Sequence, residues 1–551
     1  MEVTQRDLNL MYQPYIKYSI KIEILNSDLT VADVITGVPS DSGSSSIDAS
    51  SDIRRTMDFT IVPTCTTDIK ITEDGLIWLN KEARLYIGIR DVRTGEDVWY
   101  SQGNYIFAST SGTYDASTNQ LSVTCNDLVA KLDGTKNGQT GSLKTVFPAY
   151  EEDSNGNVLK HNVIRDQIIT VIKQMCHIND FYVEDIGEYK GMERYNSDYV
   201  NYRKTNPQWN CLPHDLEFST GATLLTILTE FRDLYPNYEF FFDDNRVFHF
   251  QMIPSGYDDN IVYTNDFLQR VLISENTTLD MTEARNIVEV WGNVIEEDYY
   301  VETCISSGST YKATYSSTFP SAYSSSKVIA VKIPKPNVSG QRLNVNNIGA
   351  LQIYDENTDK PIAANILKAN EVYCFRYKKA YINNTTTERF YLLGQWQPHA
   401  LCALVNADRH TETYKCTDGT TVELYSDEYF KKVYNCNTVK RQIVKDSPFS
   451  VEKIGETLLL YGDGENEAIT SDSLALAQAE YSLWQKARLN DSITITTLLI
   501  PFLDVNQKVT YKRSDSNIEE QYLIQSVNHD FSSLPYTSSI TMCKFYPLYN
   551  S

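Results

Sequence analysis

The sequence predicts a mainly β fold with α+β parts: two separated β regions, the first a small barrel or sandwich, an α/β segment between them, and an inserted β-rich region. Three observations carry this. Short alternating strands separated by turn residues fill roughly the first 135 positions. Two stretches with helical apolar spacing, 162–175 and 220–236, then break the strand pattern. From residue 474 the chain reads "LALAQAEYSLWQKARLNDSITITTLLIPFLDVNQKVTYK", a helix running into a Thr-rich strand, a proline and a polar turn. At 551 residues the chain is too long for one core and predicts three or four domains. The expected boundaries are a β region over 1–135, an α/β domain over 136–270, a second β region from 271–302 with 446–551, and an insertion over 303–445.

Taken in order, "YIKYSIKIEIL" (15–25) alternates, with Ile16, Ile20, Ile22 and Ile24 marking a half-buried strand. "PSDSGSSSIDASSDIRR" (39–55) reads as a long polar loop. "RTMDFTIVPT", "RLYIGIRD" and "DVWYSQGNYIFAST" are further strands, and the turn at 91–97 uses Gly95 for a positive φ. In "NVIRDQIITVIKQM", Ile164, Ile168, Val171, Ile172 and Met175 share one helical face. "TGATLLTILTEFRDLYP" repeats the pattern with Leu224, Leu225, Leu228 and Phe231, and Pro236 stops it. "NYEFFFDDNRVFHFQMIP" is a hairpin turning at Asp243-Asp244-Asn245. "RNIVEVWGNVIEEDYYVET" (285–303) returns to strand, and 303–445 is Ser-, Thr-, Asn- and Tyr-rich with short periodic runs. The helix after 472 is apolar over most of its circumference, leaving Gln478, Ser482, Gln485 and Lys486 as a narrow polar stripe. In the strand that follows, Ile493 and Ile495 face one way while Ser492, Thr494 and Thr496 face the other. One face is core and the other is polar but uncharged.

The formal net charge is −23. Gripping nucleic acid needs Lys and Arg against phosphate, so this balance argues against a nucleic-acid binder. It leaves room for a protein that nucleic acid passes without sticking. No run approaches the roughly 20 apolar residues of a membrane span, and the N-terminus shows no secretory pattern. Ten scattered cysteines fit reduced thiols in a protein made in the cytoplasm.

Candidate chemistry is sparse. His399, Cys402, His410 and Cys416 could hold tetrahedral zinc, but their spacing matches no standard finger and "ALCALV" reads equally as a buried strand. Cys176-His177 with Cys211 and His214 is a weaker coincidence. Asp463, Glu465 and Glu467 resemble half a calcium loop whose remaining ligands are misplaced, so a solvated acidic turn is the simpler reading. The Glu296-Glu297 pair and Trp396 are single features without a pattern around them. No nucleophile elbow, phosphate loop, HExxH or dinucleotide fingerprint is present. No catalytic residue, cofactor-binding residue or cofactor is expected.

The order of these elements carries a resemblance: a β-rich start, a helix leading into "YEFFFDDNRVFHF", then "RNIVEVWG", and last "LAQAEYSLWQKARLNDSITIT…IPFLDVNQKVTY". In pattern, 1–300 and 446–551 resemble the tail hub proteins of tailed bacteriophages, the baseplate hubs of long-tailed phages and related contractile particles. The stretch 303–445 has no counterpart in that resemblance. It implies two tail-tube-like barrels per chain and a homotrimeric ring at the distal tail tip or baseplate. It also implies contacts with tail tube, distal tail, tape measure and tip or fibre proteins, and a lumen that genome DNA traverses without specific binding. The expected ring surfaces are the strands at 492–500, 15–25 and 57–63. Two other roles are carried alongside: a host-surface glycan adhesin acting through 303–445, and a tail-associated cell-wall hydrolase.

Overall fold

The computed structural model describes residues 3–36, 43–62, 75–78, 80–135, 138–141, 143–152, 157–184, 212, 215–234, 238–253, 260–280, 282–292, 295, 297–355, 360–382, 385–396, 400–408, 411–442, 447–462, 469, 472–487 and 490–544. The chain is mainly β, and its largest sheet has 13 strands. In chain order these are β1 (Tyr18–Leu25), β2 (Val31–Thr36), β3 (Gly43–Asp48), β4 (Arg55–Ile61), β5 (Glu82–Arg90), β6 (Asp97–Asp115) and β7 (Gln120–Asp127). Far along the sequence follow β8 (Ile261–Tyr263), β9 (Leu272–Asp280), β10 (Asn490–Leu498), β11 (Lys508–Lys512), β12 (Glu519–Asp530) and β13 (Thr537–Lys544). The strand order is β9-β10-β13-β12-β3-β4-β7-β6-β5-β1-β2, with β11 also on β12 and β8 on β11.

The two barrels are therefore halves of one sheet. They meet at β12. One edge of this long strand pairs with β13, while the other pairs with β11 over Glu519–Leu523 and with β3 over Ser526–Asp530. The segment 39–55, expected to be a loop, thus contains the strand that knits the barrels together. Ile47 is the one large apolar side chain in "GSSSID", so alternation is hard to see there. Gly43 permits the close approach: a Cβ at this position would lie 2.2 Å from Cε2 of Phe531. Barrel two is drawn shut by Glu275 of β9, which accepts from Tyr511 Oη (2.7 Å), Ser514 N (3.1 Å) and Ser514 Oγ (2.7 Å).

The proline-containing stretch near the end acts as a plug. Leu499 enters the core of the first barrel with Ile22, Phe59 and Tyr105. Ile500, Phe502 and Leu503 enter the core of the second with Tyr263, Ile495 and Tyr522. Tyr18 Oη holds Leu499 O at 2.7 Å, and Tyr263 Oη holds Phe502 O at 2.9 Å.

The α/β layer packs helices Ile164–Thr170 and Leu224–Asp233 against strands Phe181–Val183, Tyr238–Phe242 and Phe248–Met252. Thr223 Oγ1 caps the second helix by accepting from Thr226 N. Beyond this layer, the boundaries differ from those the sequence suggested. Ile287–Trp291 lies outside the second barrel. It pairs with Ala400–Asn406 and Leu458–Tyr461 in a four-stranded sheet completed by Thr438–Gln442. Helix Asp472–Lys486 packs on this sheet through Ala475, Ala479 and Leu483, while Tyr429 and Phe430 of helix Asp427–Tyr434 cover its other face. Ala400–Asn406 is buried on both faces, which is why its apolar residues run on without alternation. The insertion proper contributes nine strands over 299–395 to an 11-stranded sheet, which strands Tyr150–Glu152 and Asn157–His161 complete. Its aromatics, including Tyr311, Phe375 and Phe390, form its core.

Ile495 is fully buried in barrel two. Ile495→Asp places an unpaired carboxylate there and should lower unfolding free energy by several kcal/mol. An unchanged urea midpoint would contradict the register described.

Candidate functional site: a hydroxyl-lined face across two fused barrels

Strand register places the polar side chains of both barrels on one continuous face. Ser274, Thr496, Ser539, Asn528, Ser46, Thr56 and Asn126 stand in a single transverse row over seven strands. Asn276, Thr494, Thr541, Ser526 and Asp48 form a second row. Thr537, Asp530, Ser44, Asp58 and Thr124 form a third. Side chains bond across strands: Ser46 Oγ donates to Asn528 Oδ1 (2.9 Å), the hydroxyls of Thr494 and Thr541 are 3.2 Å apart, and Thr124 Oγ1 donates to Asp58 Oδ1 (2.6 Å). The opposite face at these strands is buried: the row Ile495, Ile540, Val527, Ile47 is apolar, and the neighbouring row Thr497, Ser538, His529, Ser45 is polar. None of the residues in the three polar rows is Lys or Arg, and their charges are those of Asp48, Asp58 and Asp530. Such a surface holds water through neutral hydroxyls and amides and offers a polyanion nothing to neutralise it.

Behind the face, a buried polar junction fixes one barrel against the other. Arg55 Nη2 donates to both carboxylate oxygens of Asp504, each at 3.0 Å. Arg55 Nη1 donates to Gln102 O (3.2 Å), and Arg55 N to Asp127 Oδ2 (2.9 Å). Gln102 Nε2 reaches Pro501 O at 2.7 Å. The neighbouring Arg54 pairs with Glu239 of the α/β layer and lies 3.8 Å from the Phe241 ring centroid. Burial alone would raise the Asp504 pKa, but the Arg55 charge holds that carboxyl below its usual range. Burial pushes Asp127 up to about 6 against the two backbone donors that favour its charge. His529, wholly buried on β12 with Nδ1 2.8 Å from Ser538 Oγ, is pulled down to about 3, by burial and then by the nearby Arg55.

The polar stripe of helix Asp472–Lys486 lines a cleft of about 440 Å3, where Gln478, Ser482 and Gln485 face Asp52, Glu230 and Arg232.

The residues singled out for metal or catalysis are placed as follows. Cys402 lies in the core beneath helix Asp472–Lys486, and burial raises its thiol well above the ordinary value; Cys416 belongs to a separate core with Tyr429 and Phe430. His399 and His410 lie outside the described residues, as do Cys211, His214, Asp463, Glu465, Glu467 and Glu296. Cys176 is partly buried against the α/β core, and His177 adopts a φ of 56°. Among the described residues no three His, Cys, Asp or Glu side chains are grouped to hold a metal. Trp396 donates its Nε1 to Glu297 and packs on Tyr300 at 4.9 Å, half-buried.

Two of the three expected ring strands, β4 and β10, contribute to the polar face, whereas β1 lies between β5 and β2, away from the rows. Sequence reasoning missed Ser44, Ser46, Arg54, Arg55 and Asp504. The available signal was the pair Arg54-Arg55 directly before an alternating strand.

Comparison with known proteins adds the following. A family model described as "Domain of unknown function (DUF5048)" matches residues 446–549. No curated protein matches. Among solved structures, the chain is similar to the tail protein from Neisseria meningitidis MC58, at 9% identity over 97% of this chain and 99% of that one, with a TM-score of 0.42. The chain is similar to phage tail proteins. A second is prophage tail protein gp18 from Listeria monocytogenes EGD-e (9% identity, 95% and 94% covered, TM-score 0.39). A third is the 43 kDa tail protein of prophage MuSo2 from Shewanella oneidensis (8% identity, 97% and 100% covered, TM-score 0.40). These three TM-scores lie below 0.5.

His529 sets a pH dependence whose sign is fixed. Its folded pKa lies below the unfolded value of 6.5, so its contribution is fully present above pH 6.5 and is lost as pH falls towards 3. Asp127 acts oppositely between about pH 6 and 4, because the folded state takes up its proton first. The difference between wild type and His529→Gln isolates the histidine. Between pH 6.5 and 4.5 the wild type should lose stability relative to the variant by about 1.4 kcal/mol per pH unit. Parallel stability profiles would contradict a buried neutral imidazole.

Proposed function

We propose that this chain is a structural virion protein: a trimeric tail or baseplate hub that caps the distal tail tube, joins it to distal tail and tip proteins, and forms part of the channel for DNA ejection. The observation that carries this reading is the hydroxyl-lined face. It spans two fused barrels, carries no cation in its three rows, and is backed by apolar cores with a buried polar junction between them. The sequence-level resemblance to tail hubs supplies the particle, and the acidic balance of the whole chain suits a wall that DNA slides past.

The same sheet suggests how copies join. At one end β9 pairs only with β10 among the described residues. Within the first barrel β5 meets β6 only over Asp97–Ile106, so among the described residues the far part of β6, Gly112–Asp115, pairs with β7 alone. These two edges, one on each barrel, suit a heterologous, head-to-tail interface, which closes into a ring when the rotation is a third of a turn. The role is structural, residing in these surfaces rather than in a reaction centre.

Light scattering coupled to size exclusion should give a mass three times 62.9 kDa. A monomer at every concentration, alone and with tube protein, would contradict the ring. A second expectation concerns the wall. Wild-type protein should not retard duplex DNA, whereas Thr494→Arg with Thr541→Arg should bind it with an affinity that falls steeply with salt. Equal DNA retention by both proteins would contradict an accessible, cation-free wall.

A further inference from the structure

We infer that Arg54 and Arg55 are positioning residues that set the angle between the two barrels, and through it the curvature with which copies close a ring. This rests on the ring reading above and goes beyond it by naming the device that fixes the geometry. The two side chains leave one end of β4 towards different modules. Arg55 engages Asp504 of the plug and Gln102 O of the first barrel. Arg54 engages Glu239 of the α/β layer, and the same carboxylate accepts from Asn506 Nδ2 at 3.1 Å in the second barrel's loop. Three modules therefore share one pair of adjacent arginines, both at most 5% exposed.

The physics favours geometry over stability as their role. With Arg55 buried and the Asp504 side chain 27% exposed, the pair loses hydration that its Coulomb attraction only partly restores, and apolar replacements of similar volume are often as stable. What such a pair supplies is direction. The planar fork of Arg55 spans two modules, with Nη2 on both oxygens of Asp504 and Nη1 on Gln102 O, so a tilt of one barrel against the other would break one arm's contact. Apolar packing alone permits small slides. The contact occurs where it matters most, because β3 and β12 are the strands that carry the polar rows from one barrel to the next.

The test uses the full chain and the double variant Arg55→Met with Asp504→Leu, which removes both charges together. Thermal unfolding, small-angle scattering and solution mass are read on the same sample. The expected result is a folded protein melting near the wild-type temperature, with an altered scattering profile and a loss of the single trimer mass. A folded double variant with unchanged scattering and mass overturns the proposal. If the double variant does not fold, Arg55→Lys decides, since it keeps the charge pair and loses the fork. Altered scattering in a folded Arg55→Lys protein supports a positioning role, and identical scattering overturns it. Should the wild type itself prove monomeric with tube protein present, the ring reading fails. The scattering comparison between monomers would still decide whether these residues set the barrel angle.

Discussion

The architecture depends on one constraint: the segment Leu499–Asp504 belongs to both barrels at once. Its apolar residues divide between two cores, and both carboxylate oxygens of its last residue accept from Nη2 of Arg55 in the first barrel. The chain crosses some 480 residues in sequence to make the Tyr18–Leu499 contact. That closure brings β12 beside β3 and turns two barrels into one sheet. The polar rows exist because of this continuity, since a row can cross from Asn528 to Ser46 only if the two strands are in register.

The division of labour between faces follows from elementary terms. On the inner side, Ile, Val, Phe and Met remove apolar area from water at about 25 cal/mol per Å2. On the polar side, Thr keeps strand propensity, and Ser, Thr and Asn all offer neutral donors and acceptors. A face built from Lys and Glu would be as soluble, but its cations would hold phosphate. The three aspartates on the rows push in the other direction.

The sequence made some of this legible. The strand at 490–498 was readable because Ile493 and Ile495 alternate with Ser492, Thr494 and Thr496, a period that only a half-buried strand satisfies. The hairpin at Asp243 was readable from its turn chemistry, and Asp243 Oδ1 accepts from Asn245 N and Val247 N as that chemistry requires. Strand β3 was not readable. Its core side is Gly43, Ser45 and Ile47, and its burial is supplied by Phe531 and by neighbours remote in sequence. The limits of the insertion were hidden for a related reason. Ala400–Asn406 pairs with Ile287–Trp291, more than a hundred residues away, and nothing local to either strand encodes that partner. The polar face was half legible, as the Thr-rich side of one strand, while its extent over seven strands is a property of register.

The central claim is that the hydroxyl-lined face is the wall of a channel. Electron microscopy of the assembled particle tests it most directly, by locating Thr494, Ser46 and Asn528 relative to the axis. A channel wall requires a three-fold ring with those residues facing the lumen and no Lys or Arg beside them in the rows. A reconstruction in which the same residues are buried against another protein, or face the outer surface of the particle, would contradict it.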